Sequence, residues 1–525
     1  MSDLFPAVLI RDVRLVPIGA RGANSAPTAP TAPTSLRIRG GVVTEVAPGL
    51  KPTSGEQVLD GQDRWAIPGL WDHHVHLRQW GLKFLRLDTA GTSAPDEVLR
   101  RVATHVAALP TGDDRLVEGF GHRLATWDRG PTVSELDAVS GAHPVVLISG
   151  DGHNGWLNSR ALALLGAPPT DGALDEDDWY PVWTRLRSLP GAPEQDTHAY
   201  AAGVTAAAAL GIVGVTDMEF DDNPFAWPAR FAAGVDGLRV RTATYADGLA
   251  DVIAHGLRTG DPLPGGQGLL TMGPLKIISD GSLSTRTAHC FEPYADAAGT
   301  AALADPAASL EHWRGKQNLS LAELTDLMGQ ATRAGIELAI HAIGDAAVAI
   351  ALDAFAAVRA HGSIEHAQLL ADGHATRMAR LGVRASVQPA HLLDDRDVTM
   401  RCWPDRSGRC FPFRDMLNAG VTVALGSDAP VSPLDPWLAM AAAVHRSADE
   451  RAPWHPEQAL TVAEALAAST DGRGTLGVGS LGDVVLLDAD PQGADAADSA
   501  AAAAYLRRMP VAATLLAGRA TYLSL

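Results

Sequence analysis

The 525 residues are 46% hydrophobic and 20% charged, with 42 Lys and Arg against 61 Asp and Glu and a formal net charge of -19. That balance repels nucleic acid and anionic membranes, and no basic cluster offsets it, so neither is expected as a partner. Three cysteines, Cys290, Cys402 and Cys410, show neither a disulfide framework nor zinc-ribbon spacing. With no export signal in view, a reducing cytoplasm is the expected location.

The chain opens like a small antiparallel sheet. Residues 8–16, 36–38 and 42–46 are strand candidates separated by Gly-Gly and Pro-Gly turns. Residues 26–34 repeat Ala-Pro-Thr, carry too little apolar surface to pack, and are expected to form an exposed loop. Trp65-Ala66-Ile67 then extends into Pro-Gly-Leu-Trp-Asp-His-His-Val-His-Leu at 68–77. On a strand His74 and His76 share one face while His73 and Val75 point oppositely. Two imidazoles placed so can share a metal ion. Asp72, on the same face and one layer deeper, is placed to orient a ligand.

From 67 to 477, apolar runs alternate with Ala- and Leu-rich helical stretches. Residues 145–148, 211–216, 275–278, 337–340 and 421–425 are strand-like. The rhythm predicts an α/β fold of parallel βα units closed into a (β/α)8 TIM barrel. Stretches near 110–200, 289–320 and 391–413 interrupt it, as lids or insertions do. Residues 482–488 and 511–519 return to strand. Neither terminus has surface for its own core, so 1–66 and 478–525 are expected to form one composite β-sandwich.

Polar residues stand at the predicted C-terminal ends of the strands: Lys276, His341, His366 and Asp428. Barrel enzymes place their chemistry there. Four imidazoles and a carboxylate can hold two divalent ions if one more anionic ligand bridges them. A buried lysine amine supplies that ligand by adding carbon dioxide to become a carbamate. A hydroxide between two metals is a nucleophile at neutral pH, and Asp428 can take its proton and pass it to a leaving nitrogen. Singly, each residue has a plain reading: a strand-end lysine, a core histidine, a His366–Glu365 structural pair, a turn aspartate. Together, in this order, they point to chemistry.

With residues 151–159, 276–288, 341–345, 364–368, 388–391 and 426–430, these segments resemble the metal-dependent amidohydrolase superfamily. The likeness is to amidohydrolase family 3, the YtcJ-like branch that includes N-substituted formamide deformylases, and it covers almost the whole chain. The resemblance implies a barrel beside a sandwich of both termini. It implies His74 and His76 on one divalent metal and His341 and His366 on the other, with zinc the expected metal. Lys276 would be the carbamate bridge formed from CO2, and Asp428 a metal ligand and proton shuttle. His153 is expected to polarise a substrate carbonyl, and Arg286 to reach the substrate or tie down a loop. Trp71, Trp80, Trp156 and Phe291 are candidate pocket walls.

The implied activity is hydrolysis of a non-peptide C–N bond, amide or formamide in type, in a small molecule. Ureas, carbamates and esters stay open as substrates, as does the oligomeric state, a homodimer included. Two alternatives stand beside this reading. A mononuclear deaminase on the same fold would dispense with the lysine and carry a glutamate where Gly344 stands. A non-catalytic metal- or ligand-binding relative would support itself by a missing ligand.

Overall fold

Eight parallel strands follow one another in chain order around a single sheet: β1 (Leu70–Val75), β2 (Ile212–Asp217), β3 (Arg239–Thr244), β4 (Leu270–Ile278), β5 (Leu338–Ala342), β6 (Gly362–His366), β7 (Arg384–Val387) and β8 (Val423–Leu425). The sheet shuts on itself at the end of β1 and just past β8, where Val75 bridges Ala429 in parallel. At this seam the His76 N–H donates to Ala429 O at 2.9 Å and the Asp428 N–H to His74 O at 2.7 Å. The result is a (β/α)8 barrel. The computed structural model describes residues 5–19, 32–110, 112–124, 127–150, 152, 154–186, 189, 192–220, 223–295, 312–447, 449–493 and 498–525. They divide into two compact units, Met1–His76 with Val204–Leu525, and Leu77–Gly203.

Most barrel strands read as continuous apolar runs because both faces are covered; every residue of β2 is buried. β3 escapes that pattern, since Arg239 and Arg241 interrupt its apolar residues. Two of the helices packed around the barrel start from capping boxes. Ser320 and Glu323 form a capping box for Leu321–Arg333, and Thr461 and Glu464 do the same for Val462–Ala468.

The run at 145–148 does form a strand, Val145–Ser149, but outside the barrel. It pairs with Val117–His122 in parallel and with Gly155–Leu157 antiparallel, in a four-stranded sheet completed by Leu87–Asp88. A strand buried on both faces has the same sequence signature in any sheet, so composition could not assign it. The interruption expected from about 110 is thus a unit of its own that begins at Leu77. Its two cores gather Val98, Val102, Leu136 and Trp156 on one side, and Leu157, Leu165, Trp179 and Val182 on the other.

Both termini build one seven-stranded sheet, in the order Arg519–Leu523, Val511–Leu516, Val484–Leu487, Gln57–Pro68, Val8–Leu15, Thr34–Arg39, Val42–Ala47. Gly40 and Gly41 turn its hairpin with φ of 57° and 77°, the double left-handed geometry of a type I′ turn that glycine adopts without strain. An antiparallel bridge from Val42 to Leu481 brings the edge strand back toward the other end of the sheet. Val8, Ile10, Val13, Leu36, Ile38, Val484, Leu486 and Leu515 fill the core so enclosed.

Asp483 ties this sheet to the barrel. Its buried carboxylate accepts from Arg239 Nε at 2.7 Å, Arg473 Nη1 at 3.0 Å and the Ala517 N–H at 2.8 Å. Among the described residues, the three cysteines are buried and none is in a disulfide, and no helix is long and apolar enough to cross a membrane. Most of the Ala-Pro-Thr repeat lies outside those residues, as does 296–311.

Candidate metal centre

Strand alternation puts His74 and His76 on one face at the C-terminal end of β1. His74 Nδ1 lies 2.9 Å from Glu365 Oε2. An ionised carboxylate only accepts, so Nδ1 carries the proton and Nε2 turns its lone pair to the barrel interior. There Lys276 Nζ, from β4, and Asp428 Oδ1, just past β8, each stand 3.3 Å from that same Nε2. His76 Nε2 is 3.4 Å from Asp428 Oδ1. His366, ending β6, sits edge-on to His341 of β5 with centroids 4.5 Å apart, and 5.2 Å from His74. His74, His366 and Asp428 offer ligand atoms that all lie within 4.8 Å of one another.

The backbone is strained at these positions. His366, Ala367 and Asp428 hold φ of 70°, 43° and 55°, a region that side-chain-bearing residues seldom enter. Gly426 lets β8 approach β1 closely, since a Cβ there would fall 2.8 Å from His74 N and 3.2 Å from Asp72 Oδ1. Asp72 was expected to orient a ligand, and it acts through the backbone: Oδ1 accepts from the N–H groups of His74 at 3.0 Å and Ser427 at 3.1 Å. Burial pushes its carboxyl up to about 7 against those bonds.

The charges suit a cation. Burial drives the Lys276 amine below its ordinary value, against the pull of Glu365 and Asp428. Burial and then the charge of Lys276 lower His341 to about 3, and burial leads a fall well below the usual range for His366. Burial alone would raise Glu365 and Asp428. The His74 hydrogen bond brings Glu365 down to about 2 instead, and His74 with His76 hold Asp428 well below the carboxylate range. The outcome is ionised carboxylates among mostly neutral nitrogen donors, the protonation pattern that metal binding requires.

Some of the donors lack partners. His366 Nδ1, His76 Nδ1 and Gln388 Oε1 are buried without a hydrogen bond. Such atoms are costly to bury unless something else satisfies them. The His74 and His76 Nε2 atoms beside Asp428 are donors of the kind that fits a divalent metal.

The remaining expected residues are scattered. His341 Nε2 also faces Gly281 O at 3.2 Å and Asp280 Oδ1 at 3.5 Å. His153 lies outside the described residues. Trp71 sits toward the start of β1, with the Arg241 guanidinium 4.1 Å from its ring centroid, and donates Nε1 to Thr216 Oγ1 at 3.3 Å. Trp80 and Trp156 belong to the second unit, where Trp80 meets Phe84 edge-on and Trp156 donates to Thr132 O at 2.9 Å. Arg286 donates to Ser284 O at 2.8 Å within its own loop. Phe291 is exposed, and its ring centroid lies 6.4 Å from that of His374.

Four residues escaped the sequence reading of the site. Glu365 reads from the sequence as a structural partner of His366, and in the structure it pairs with His74. Gln388 Nε2 approaches His74 Nδ1 at 3.4 Å. His391 Nε2 lies 3.7 Å from Asp428 Oδ2, its ring stacked on His366 at 5.8 Å. Both belong to the Gln-Pro-Ala-His segment, which was the available signal. Phe220 stacks on His76 at 4.9 Å and had no signal at all.

The amidohydrolase family model matches residues 57–522. Protein LONG AFTER FAR-RED 3 of Arabidopsis thaliana is 29% identical over 504 residues, covering 86% of this chain and 83% of that protein. N-substituted formamide deformylase of Arthrobacter pascens is 29% identical over 500 residues, covering 86% and 88%. An uncharacterised metal-dependent hydrolase of Pyrococcus horikoshii OT3 matches in structure with a TM-score of 0.76 at 25% identity, over 94% of this chain and 99% of that one.

Proposed function

We propose, from the premise that this chain belongs to the amidohydrolase family and is a hydrolase, that it cleaves a non-peptide C–N bond, amide or formamide in type, in a small cytoplasmic molecule. The observation that carries this reading is the approach of Lys276 Nζ and Asp428 Oδ1 to one histidine nitrogen, each at 3.3 Å, beside His76, His341 and His366. The similarity to N-substituted formamide deformylase supports formamides as the first substrates to try.

In this reading His74, His76, His341, His366, Asp428 and a carbamylated Lys276 would hold two divalent ions, zinc foremost. When bound, the ions supply Lewis acidity, activating water and polarising the scissile carbonyl. The neutral Lys276 amine adds through nitrogen to the carbon of CO2 and releases a proton to solvent, leaving an anionic carbamate. Asp428 takes the proton of the attacking water and returns it to the departing nitrogen. Glu365 keeps His74 in the tautomer that offers Nε2. A deaminase would need a carboxylate at position 344, where any Cβ would overlap His289 O.

Elemental mass spectrometry on protein purified without chelator tests the reading, followed by a panel of formamides and N-acyl amines. About two zinc-like ions per chain, with turnover of that panel, is the expected result. One ion would overturn the bridged pair. None after refilling with metal and bicarbonate would overturn the catalytic reading itself.

A further inference from the structure

Two large apolar side chains stand exposed beside the carboxylate that, in the proposed function, handles the proton. Phe220, just past β2, is 51% exposed, and Val431, just past Asp428, is 40% exposed. Phe220 is fixed by a stack of rings. Its plane lies 15° from that of His76 at 4.9 Å and 29° from that of Tyr245 at 5.1 Å. The Tyr245 hydroxyl is anchored in turn by donating to Met218 O at 2.7 Å. The stack holds the ring still while leaving it open to solvent, so contact with it costs little ordering.

Both residues flank the same side of the centre. Phe220 rests on His76, whose Nε2 is 3.4 Å from Asp428 Oδ1. The Val431 N–H donates to Asp428 O at 2.9 Å. The opposite flank is polar, with Lys276, His341 and the Ser279-Asp280-Gly281 turn, where Ser279 Oγ donates to His341 O at 2.5 Å. For Asp428 to protonate the leaving nitrogen, an amide must lie across the centre with that nitrogen toward Asp428. Its N-substituent then meets Phe220 and Val431, and its acyl group the polar flank.

We infer that Phe220, with Val431, forms the specificity-determining wall for the substituent on the leaving nitrogen and selects aromatic or bulky apolar groups. This rests on the reading of Asp428 as the proton donor. A bare apolar ring beside a reacting centre gains most by covering itself with another, edge-to-face or offset.

The test compares the N-benzyl and N-methyl members of one amide series on metal-loaded wild type, Phe220→Ala and Val431→Ser. The wild type should favour N-benzyl in kcat/KM. The benzyl-to-methyl ratio should fall roughly tenfold in Phe220→Ala, through KM, and less in Val431→Ser, with metal content retained. A ratio unchanged in both variants overturns the inference while leaving the proposed function standing. Calorimetry with benzylamine, which carries the substituent alone, decides the matter if no amide is turned over. Binding weakened by Phe220→Ala then supports the wall although the proposed function fails; equal binding, or none to the wild type, overturns it.

Discussion

One strand feeds two charged clusters, and they differ in kind. His74 and His76 look into the centre with Lys276 and Asp428. Trp71 and His73, alternating with them, join Asp471, Arg241 and Arg473. In the second cluster the charges are matched: Arg241 grips Asp471 through both carboxylate oxygens, at 2.9 and 2.5 Å, and Arg473 reaches Asp483. In the first, buried imidazole nitrogens and an amide oxygen go without hydrogen bonds, and the backbone is strained at His366 and Asp428. Histidine and aspartate are present in both. What separates them is how charge is met: guanidinium groups grip the carboxylate of one cluster, while imidazoles and a lysine amine surround the carboxylate of the other.

The largest effect should come from the first cluster. Asp428→Asn is expected to lower kcat/KM by about three orders of magnitude while circular dichroism stays native. Retained turnover would remove Asp428 from the chemistry. Next comes Asp483→Asn, which leaves Arg239 and Arg473 facing a neutral amide. Stability should drop by about 3 kcal/mol in denaturant, with activity per folded molecule unchanged. If activity fell at constant stability, the scaffold cluster would be misread.

Glu365→Gln is the sharper probe of the proposed centre, because it removes the charge that holds His74 Nδ1, the nitrogen turned away from Lys276 and Asp428. Metal affinity should weaken roughly 10- to 100-fold, read by competition with a chelator. The smallest effect is a slope. Burial would raise Asp471, but the Arg241 hydrogen bond brings it down to about 2 from its ordinary 3.8. A carboxylate lowered on folding stabilises the protein above its ordinary value and loses that contribution as pH falls through the folded one. Acid unfolding of Asp471→Asn should therefore run flatter than wild type between about pH 4 and 2. Parallel curves would count against the pairing.

The two clusters were unequally legible beforehand. His74 and His76 could be placed together because alternation along a strand is local and survives whatever the rest of the chain does. Lys276, His341, His366 and Asp428 could be placed at strand ends for the same reason, and the structure brings them to one end of the barrel. Glu365 could not be matched to His74, since that contact exists only after the ring of strands has closed. Arg239 and Arg241 hid β3, their charge being explained by Asp483 and Asp471, far along the chain. The run at 145–148 went to the wrong sheet because burial on both faces leaves no mark of which neighbours supply it. Trp71 reads from the sequence as a candidate pocket wall, and its ring lies against the guanidinium groups of Arg241 and Arg473. Aromatic character alone could not tell those surroundings apart.

The seam between Val75 and Ala429 has a consequence for how the molecule is made. Synthesis delivers His74 early, His341 and His366 late, and Asp428 last of all. A nascent chain that has emerged as far as His366 already holds four imidazoles and the lysine, but lacks the eighth strand and the carboxylate beside it. Asp428 thus arrives with the strand that completes the ring, and every shorter chain lacks the carboxylate that stands beside His74 and His76.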